Sequence, residues 1–229
     1  MEPLRILYED NHLIAVNKSP ADLVQSDKTG DASLDEVVKS YIKKKYNKPG
    51  DVFLGVIHRL DRPVSGIVLY ARTSKALSRM NELFRNREIN KKYWAIVEGK
   101  PPAEEETLEH FLVRNRQQNK SYAYNKQVKG SKLAQLHYRL TGRGQKYYFL
   151  EIDLLTGRHH QIRAQLARIG CVIKGDLKYG AARSNNDGGI SLHARSICFK
   201  HPVKKEEMVI TAEPPSESLW ELFVPGNII

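Results

Sequence analysis

The stretch from Gly55 to Ala71 constrains the fold of this chain more than any other. Its last five residues, Ile67-Val68-Leu69-Tyr70-Ala71, form an unbroken apolar run that reads as a buried strand. Just before it stands Asp61-Arg62-Pro63-Val64-Ser65-Gly66. Pro63 fixes its own φ and Gly66 can take a positive one, so the five residues after Asp61 are expected to form a tight loop. One carboxylate, Asp61, therefore lies between Arg59 and Arg62 on a stiff loop beside a core strand. Neighbouring cations keep such a group ionised at neutral pH, and the loop keeps it aimed. A structural aspartate in a salt-bridge network would have the same local setting.

The rest of the chain alternates short strands with helices. Arg5–Tyr8 and Leu13–Val16 flank Glu9-Asp10-Asn11-His12 as a strand–turn–strand unit. Ser33 with Glu36 opens a capping box for a helix carrying Leu34, Val37, Val38, Tyr41 and Ile42, which ends in Lys43-Lys44-Lys45. Thr73 or Ser74 caps a second helix with Ala76, Leu77, Met80, Leu83 and Phe84 on its apolar face. Lys92–Glu98 alternates, placing Tyr93, Ala95 and Val97 on one side and Trp94 and Ile96 on the other. Pro101–Glu106 is an acidic link. Arg114–Gly130 mixes cations with tyrosines; it suits contact with phosphates and bases, and a solvated hairpin would look the same. Leu133–Leu140 and Lys146–Leu155 are expected strands joined at Thr141-Gly142-Arg143-Gly144. His160–Ile169 reads as a helix whose basic start is a natural phosphate cradle. Ser184–Gly189 is an expected flexible loop, followed by strands near Leu192–Lys200 and Glu207–Ala212 and a short helix over Ser216–Phe223. The pattern is α+β, a mixed and mostly antiparallel sheet with packed helices.

With 229 residues the chain can form one large domain or two small lobes sharing a sheet, and residues 1–229 are read as a single domain. The formal charge of +11 points to a polyanion, most simply nucleic acid, although a membrane-surface protein would show the same balance. No apolar stretch follows the first basic residues, and no run approaches a membrane span, so a cytoplasmic monomer without membrane contact is expected. Cys171 and Cys198 fit neither a metal-ligand spacing nor a disulfide framework. His159-His160 lacks a third ligand at suitable spacing, so no metal is expected.

Three blocks, in order, carry a resemblance. His58-Arg59-Leu60-Asp61 with Ser65-Gly66, Lys91-Lys92-Tyr93-Trp94-Ala95-Ile96-Val97-Glu98-Gly99, and Thr156-Gly157-Arg158-His159-His160-Gln161-Ile162-Arg163 closely resemble the signature segments of the RluA-type RNA pseudouridine synthases. Gly175-Asp176, Tyr179-Gly180, Leu192-His193-Ala194 and Phe199-Lys200-His201-Pro202 extend the match. Two positions depart from the pattern. Val64 stands where threonine is usual, and Asp22 where glycine is common. Strand signals begin at Arg5, so no separate RNA-binding domain is expected ahead of the catalytic one, and substrate selection is expected from the catalytic domain's own surface.

The resemblance implies the pseudouridine synthase fold and an isomerisation in ribosomal or transfer RNA. The bond from ribose to the uracil nitrogen breaks, the base turns, and it rejoins through carbon, with no cofactor and no metal. It implies Asp61 as nucleophile or base on the sugar. Tyr93 is implied to stack on uracil and to serve in the final deprotonation, and Arg163 to be the cation that holds the aspartate. Arg59 would support extrusion of the base, with Arg62, Arg158, His160 and Gln161 as further RNA or pocket residues. A glycoside hydrolase would need a second acid at a matching position. An RNA-binding relative without chemistry would not need Asp61, Tyr93 and Arg163 intact.

Overall fold

The computed structural model describes residues 4–26, 30–216 and 218–223. The Met1–Pro3 start lies outside them. The chain divides into two compact units, Met1–Ile89 with Ala194–Glu213, and Asn90–His193 with Pro214–Ile229.

In the first unit the expected strand–turn–strand is β1 (Arg5–Glu9) and β2 (Leu13–Lys18), paired antiparallel. After α1 (Leu34–Lys45) and the two-residue β3 (Gly55–Val56) comes β4 (Ser65–Ala71), antiparallel to both β2 and β3. β10 (Leu192–Lys200) lies on the other side of β4, and β11 (Glu207–Thr211) pairs antiparallel with β10. β4 is buried along its whole length because both of its faces are covered. Ile67, Leu69 and Ala71 enter one cluster with Met80 and Ala76 of α2 (Ser74–Asn86). Val68 and Tyr70 enter the opposite cluster with Leu34, Val38 and Ile42 of α1. Alternate residues of a strand point to opposite faces, so a strand covered on both sides loses its apolar–polar alternation and becomes the continuous run seen in the sequence.

Both helix starts follow their capping residues. The Ser33 N–H donates to the Glu36 carboxylate at 3.5 Å, and the Thr73 hydroxyl accepts from the Ala76 N–H at 3.2 Å. The loop after Asp61 is shorter than expected, since Ser65 and Gly66 already belong to β4. Gly66 is required for a different reason than a turn. Its φ is +110°, and a Cβ there would lie 2.4 Å from the Ala194 carbonyl oxygen.

The second unit carries β5 (Asn90–Glu98), β6 (Glu105–Asn115), β7 (Lys120–Tyr124), β8 (Lys132–Arg143) and β9 (Tyr147–Leu154), ordered β5-β9-β8-β6-β7 with antiparallel pairing throughout. α3 (Gln161–Arg168) and a 3-10 turn (Leu177–Tyr179) follow, with α4 (Ser218–Glu221) inside the expected Ser216–Phe223 helix, of which residue 217 is outside the described residues. Trp94 and Ile96 pack with Phe149 and Trp220, as the alternation in β5 required.

The basic Arg114–Gly130 stretch opens in a β-hairpin of β6 and β7, the hairpin its pattern allowed. Three expectations are corrected. The acidic link Pro101–Glu106 ends at Glu104, because Glu105 and Glu106 already belong to β6. The β8–β9 turn falls after Arg143, not at Thr141–Gly144. Gly142 sits inside β8 beside a bulge, where a Cβ would meet the Phe223 ring at 2.7 Å. The Ser184–Gly189 loop is anchored rather than flexible: buried Asn185 accepts from Lys174 Nζ at 2.6 Å and donates to Ser191 Oγ at 3.2 Å.

Candidate active site

The first unit presents Asp61. Its carboxylate is half-buried on a turn closed by the Val64 N–H donating to the Asp61 carbonyl at 3.0 Å. Beneath the turn lies Lys18, at 1% exposure one of the most buried side chains in the protein. Its ammonium donates to three backbone carbonyls: Ser19 at 2.9 Å, Arg62 at 2.9 Å and Val64 at 2.7 Å. Three donors against three acceptors satisfy the group, as burial demands. Burial pushes the Lys18 pKa down to about 8, with the Asp22 and Asp61 carboxylates acting in the opposite sense. Asp22, the departure at a position where glycine is common, thus adds a negative charge near this cation. Val64 is buried at 3% exposure, so an apolar side chain suits its place.

Arg62 and Ala21 close the loop from the side. The Ala21 N–H donates to the Arg62 carbonyl at 3.1 Å, Arg62 Nε returns a bond to the Ala21 carbonyl at 3.0 Å, and Arg62 pairs with Asp31 at 3.0 Å. Arg62, expected on RNA, is thus engaged in bracing. Arg59 is exposed. His58 has a packing role: its Nε2 accepts the Leu69 N–H at 3.2 Å and its ring stacks on Phe84.

The second unit presents Tyr93 and Arg163. Tyr93 is buried in the middle of β5, opposite Ile152 of β9. Arg163, in the first turn of α3, is buried at 5% exposure and grips Asp176 with both ends of its fork, Nε to Oδ2 at 2.7 Å and an Nη to Oδ1 at 2.8 Å. Such bidentate geometry fixes the guanidinium plane as well as its position. In the sequence Asp176 stands only within the extended resemblance, which implies no role for it. Its pairing with Arg163 spans thirteen residues and has no local periodicity to reveal it.

The turn leading into α3 is held by side chains. Gln161 Oε1 accepts from the Thr156 hydroxyl at 2.8 Å and from the Arg158 N–H at 2.9 Å, while its Nε2 donates to the Gln135 carbonyl at 3.0 Å. Gln161, expected on the substrate, is therefore committed to the turn. Arg158 is half-buried, with Nε on the Leu133 carbonyl at 3.0 Å. His160 takes a left-handed conformation as the N-cap, stacks on His159 with ring centres 3.9 Å apart, and shares a 3.1 Å hydrogen bond with the Tyr179 hydroxyl. Burial, with Arg163 and other nearby cations, pushes its pKa down to about 2. At neutral pH His160 is uncharged and contributes shape, not a charge for phosphate.

One residue the sequence reading passed over is Lys91. It is half-buried, burial lowers its pKa, and its Nζ stands 3.6 Å from where a Cβ on Gly157 would be. Its place at the start of the second sequence block was the only signal. Among the described residues no cluster of three His, Cys, Asp or Glu side chains is placed to hold a metal ion, and no helix is long and apolar enough to cross a membrane.

The first unit thus offers a carboxylate on a braced turn, and the second a buried tyrosine within a strand and a clamped arginine. Residues 12–168, which include all three, match the family described as RNA pseudouridylate synthase. The ribosomal large subunit pseudouridine synthase D of Zymomonas mobilis is 30% identical over 238 residues, spanning 98% of this chain and 74% of that protein. Its namesake in Xanthomonas campestris is 31% identical over 228 residues, spanning 94% of this chain and 67% of its own. The solved structure of human RNA pseudouridylate synthase domain containing 4 shares the fold, with a TM-score of 0.77, 23% identity, and coverage of 93% of this chain and 89% of that one. The chain belongs to the RNA pseudouridylate synthase family, of the RluA type, and is an RNA pseudouridine synthase, an isomerase.

Proposed function

We propose that this enzyme isomerises uridines of ribosomal RNA, and that Asp61, Tyr93 and Arg163 carry the reaction. The substrate class follows the relatives, whose names place them on the ribosomal large subunit. Asp61 acts on the sugar as nucleophile or base while the bond from C1′ to uracil N1 breaks. The base turns, C5 bonds to C1′, and the proton released from C5 is taken up so that N1 ends protonated. Tyr93 stacks on the base and serves in the removal of that C5 proton. Arg163, oriented by its bidentate contact with Asp176, supplies the positive charge that balances the aspartate. Arg59 supports the extruded nucleotide. The two units act together as one catalytic domain, as a monomer in the cytoplasm where ribosomal RNA is made available.

The observation that supports this most is the bracing of the Asp61 turn. A buried ammonium gives two of its three donors to that turn's carbonyls, an arrangement that keeps a reacting carboxylate in one place. The test is Asp61→Asn on ribosomal RNA isolated from cells that lack the protein. Conversion should be abolished while RNA affinity stays within a small factor of wild type. A variant that still forms pseudouridine removes Asp61 from the mechanism.

A further inference from the structure

The second unit carries a surface that the reaction does not use. From His110 to Leu150 there is no carboxylate side chain, against nine arginines and lysines. Within this span β7 ends the β5-β9-β8-β6-β7 order, and its alternation puts Lys120, Tyr122 and Tyr124 on one face. Ser121, on the other face, is buried at 2% exposure. Tyr122 and Tyr124 are 38% and 41% exposed, two large rings left open to water on a strand. Lys120 Nζ lies 5.5 Å from the centre of the Tyr122 ring and 4.9 Å from that of Tyr179. At the end of the strand and past it, Tyr122, Tyr124, Asn125, Lys126, Val128 and Arg168 line a concavity of ≈ 480 Å³.

This surface is tied to the candidate site by Tyr179. The Tyr179 hydroxyl accepts the Ser121 N–H at 2.9 Å and donates to the Ser121 carbonyl at 3.0 Å, and its ring packs 5.2 Å from the Arg163 guanidinium. Near the other end of β7, Arg168 at the last turn of α3 reaches Asn125 at 3.3 Å. The row of cations and rings thus starts beside Arg163 and leads away along α3.

We propose that β7 and the turn after it are a platform for the single-stranded RNA flanking the target uridine. Bases stack on Tyr122 and Tyr124, and Lys120, Lys126 and Arg168 neutralise phosphates. The inference rests on the reading of RNA as substrate and adds where its flank is held. Charge complementarity selects a polyanion, and the open rings select unpaired bases, because a duplex offers its phosphates and little π surface.

The experiment measures binding of the full chain to a short fluorescent oligouridylate and to an RNA duplex of equal length. Replacing both tyrosines (Tyr122→Ala with Tyr124→Ala) should weaken oligouridylate binding about tenfold or more, since base–aromatic stacking contributes at each ring. The Phe pair should stay within about twofold of wild type, because the ring is retained. Duplex affinity and the salt dependence should be unchanged in the alanine pair, whereas Lys126→Gln should reduce the salt slope by about 0.7. Equal oligouridylate binding by wild type and the alanine pair overturns the platform, as does equal loss on the duplex. If the double variant melts early, Tyr124→Ala alone decides by the same comparison. Wild-type protein that forms no pseudouridine in any ribosomal RNA defeats the proposed substrate instead, and the binding result stands apart from it.

Discussion

The turn that carries Asp61 and the turn that leads to Arg163 are held in opposite ways. Around Asp61 the contacts go largely to backbone: Lys18 binds the carbonyls of Ser19, Arg62 and Val64, and Ala21 and Arg62 exchange backbone contacts. Around Arg163 the hold is shared among several specific side chains, with Gln161 bridging the Thr156 hydroxyl, the Arg158 N–H and the Gln135 carbonyl, and Asp176 gripping the guanidinium. Every residue has a carbonyl, so a backbone-held turn tolerates changes in its side chains provided the one cation remains. This is why Val64 can stand in place of threonine without loss of the brace. A side-chain-held turn tolerates little, because each partner supplies a specific atom.

The sharpest way to break this contrast is Asp176→Ala. It leaves a buried arginine without its bidentate partner, and unfolding free energy should fall by about 3–5 kcal/mol in chemical denaturation. A loss below about 1 kcal/mol would mean that Arg163 is held adequately by other groups. Next is Lys18→Met, which removes one donor group from three carbonyls and should cost about 1–3 kcal/mol. Lys18 also gives a pH signature. Its folded pKa of about 8 lies below the ordinary 10.5, so between those values the unfolded chain binds more protons and stability rises with pH. Below about pH 8 both states are protonated and the penalty of burial is felt in full. Wild-type unfolding measured from pH 8 to 10 should show this rise, and Lys18→Met should lack it. The smallest effect is expected at Ala21, whose φ of 68° is left-handed. Ala21→Gly should stabilise by about 0.5–1 kcal/mol, relief of that strain outweighing the added freedom of the unfolded chain. Unchanged stability there would show that the brace imposes no strain on its own loop.

Local order carried most of the element assignments. The unbroken run at Ile67–Ala71, the caps at Ser33 and Thr73 and the alternation of β5 each report on neighbours one to four residues away, and the corresponding elements formed where expected. The misplaced β8–β9 turn shows the limit, since Gly142 is glycine on account of Phe223, far along the chain. The three sequence blocks likewise picked out Asp61, Tyr93 and Arg163 as candidates, and gave no sign of what supports them.

The family, most of the strands and helices and the residues worth testing came from sequence alone, because spacing and side-chain chemistry are properties of short segments. Folding in three dimensions decided that Asp176 clamps Arg163, that Lys18 reaches carbonyls more than forty residues away, and that Tyr179 fastens β7 beside α3. These partners are distant along the chain and follow no repeat. Their attraction is electrostatic and becomes strong only once folding has brought them together and excluded water, so it leaves no mark on the order of residues.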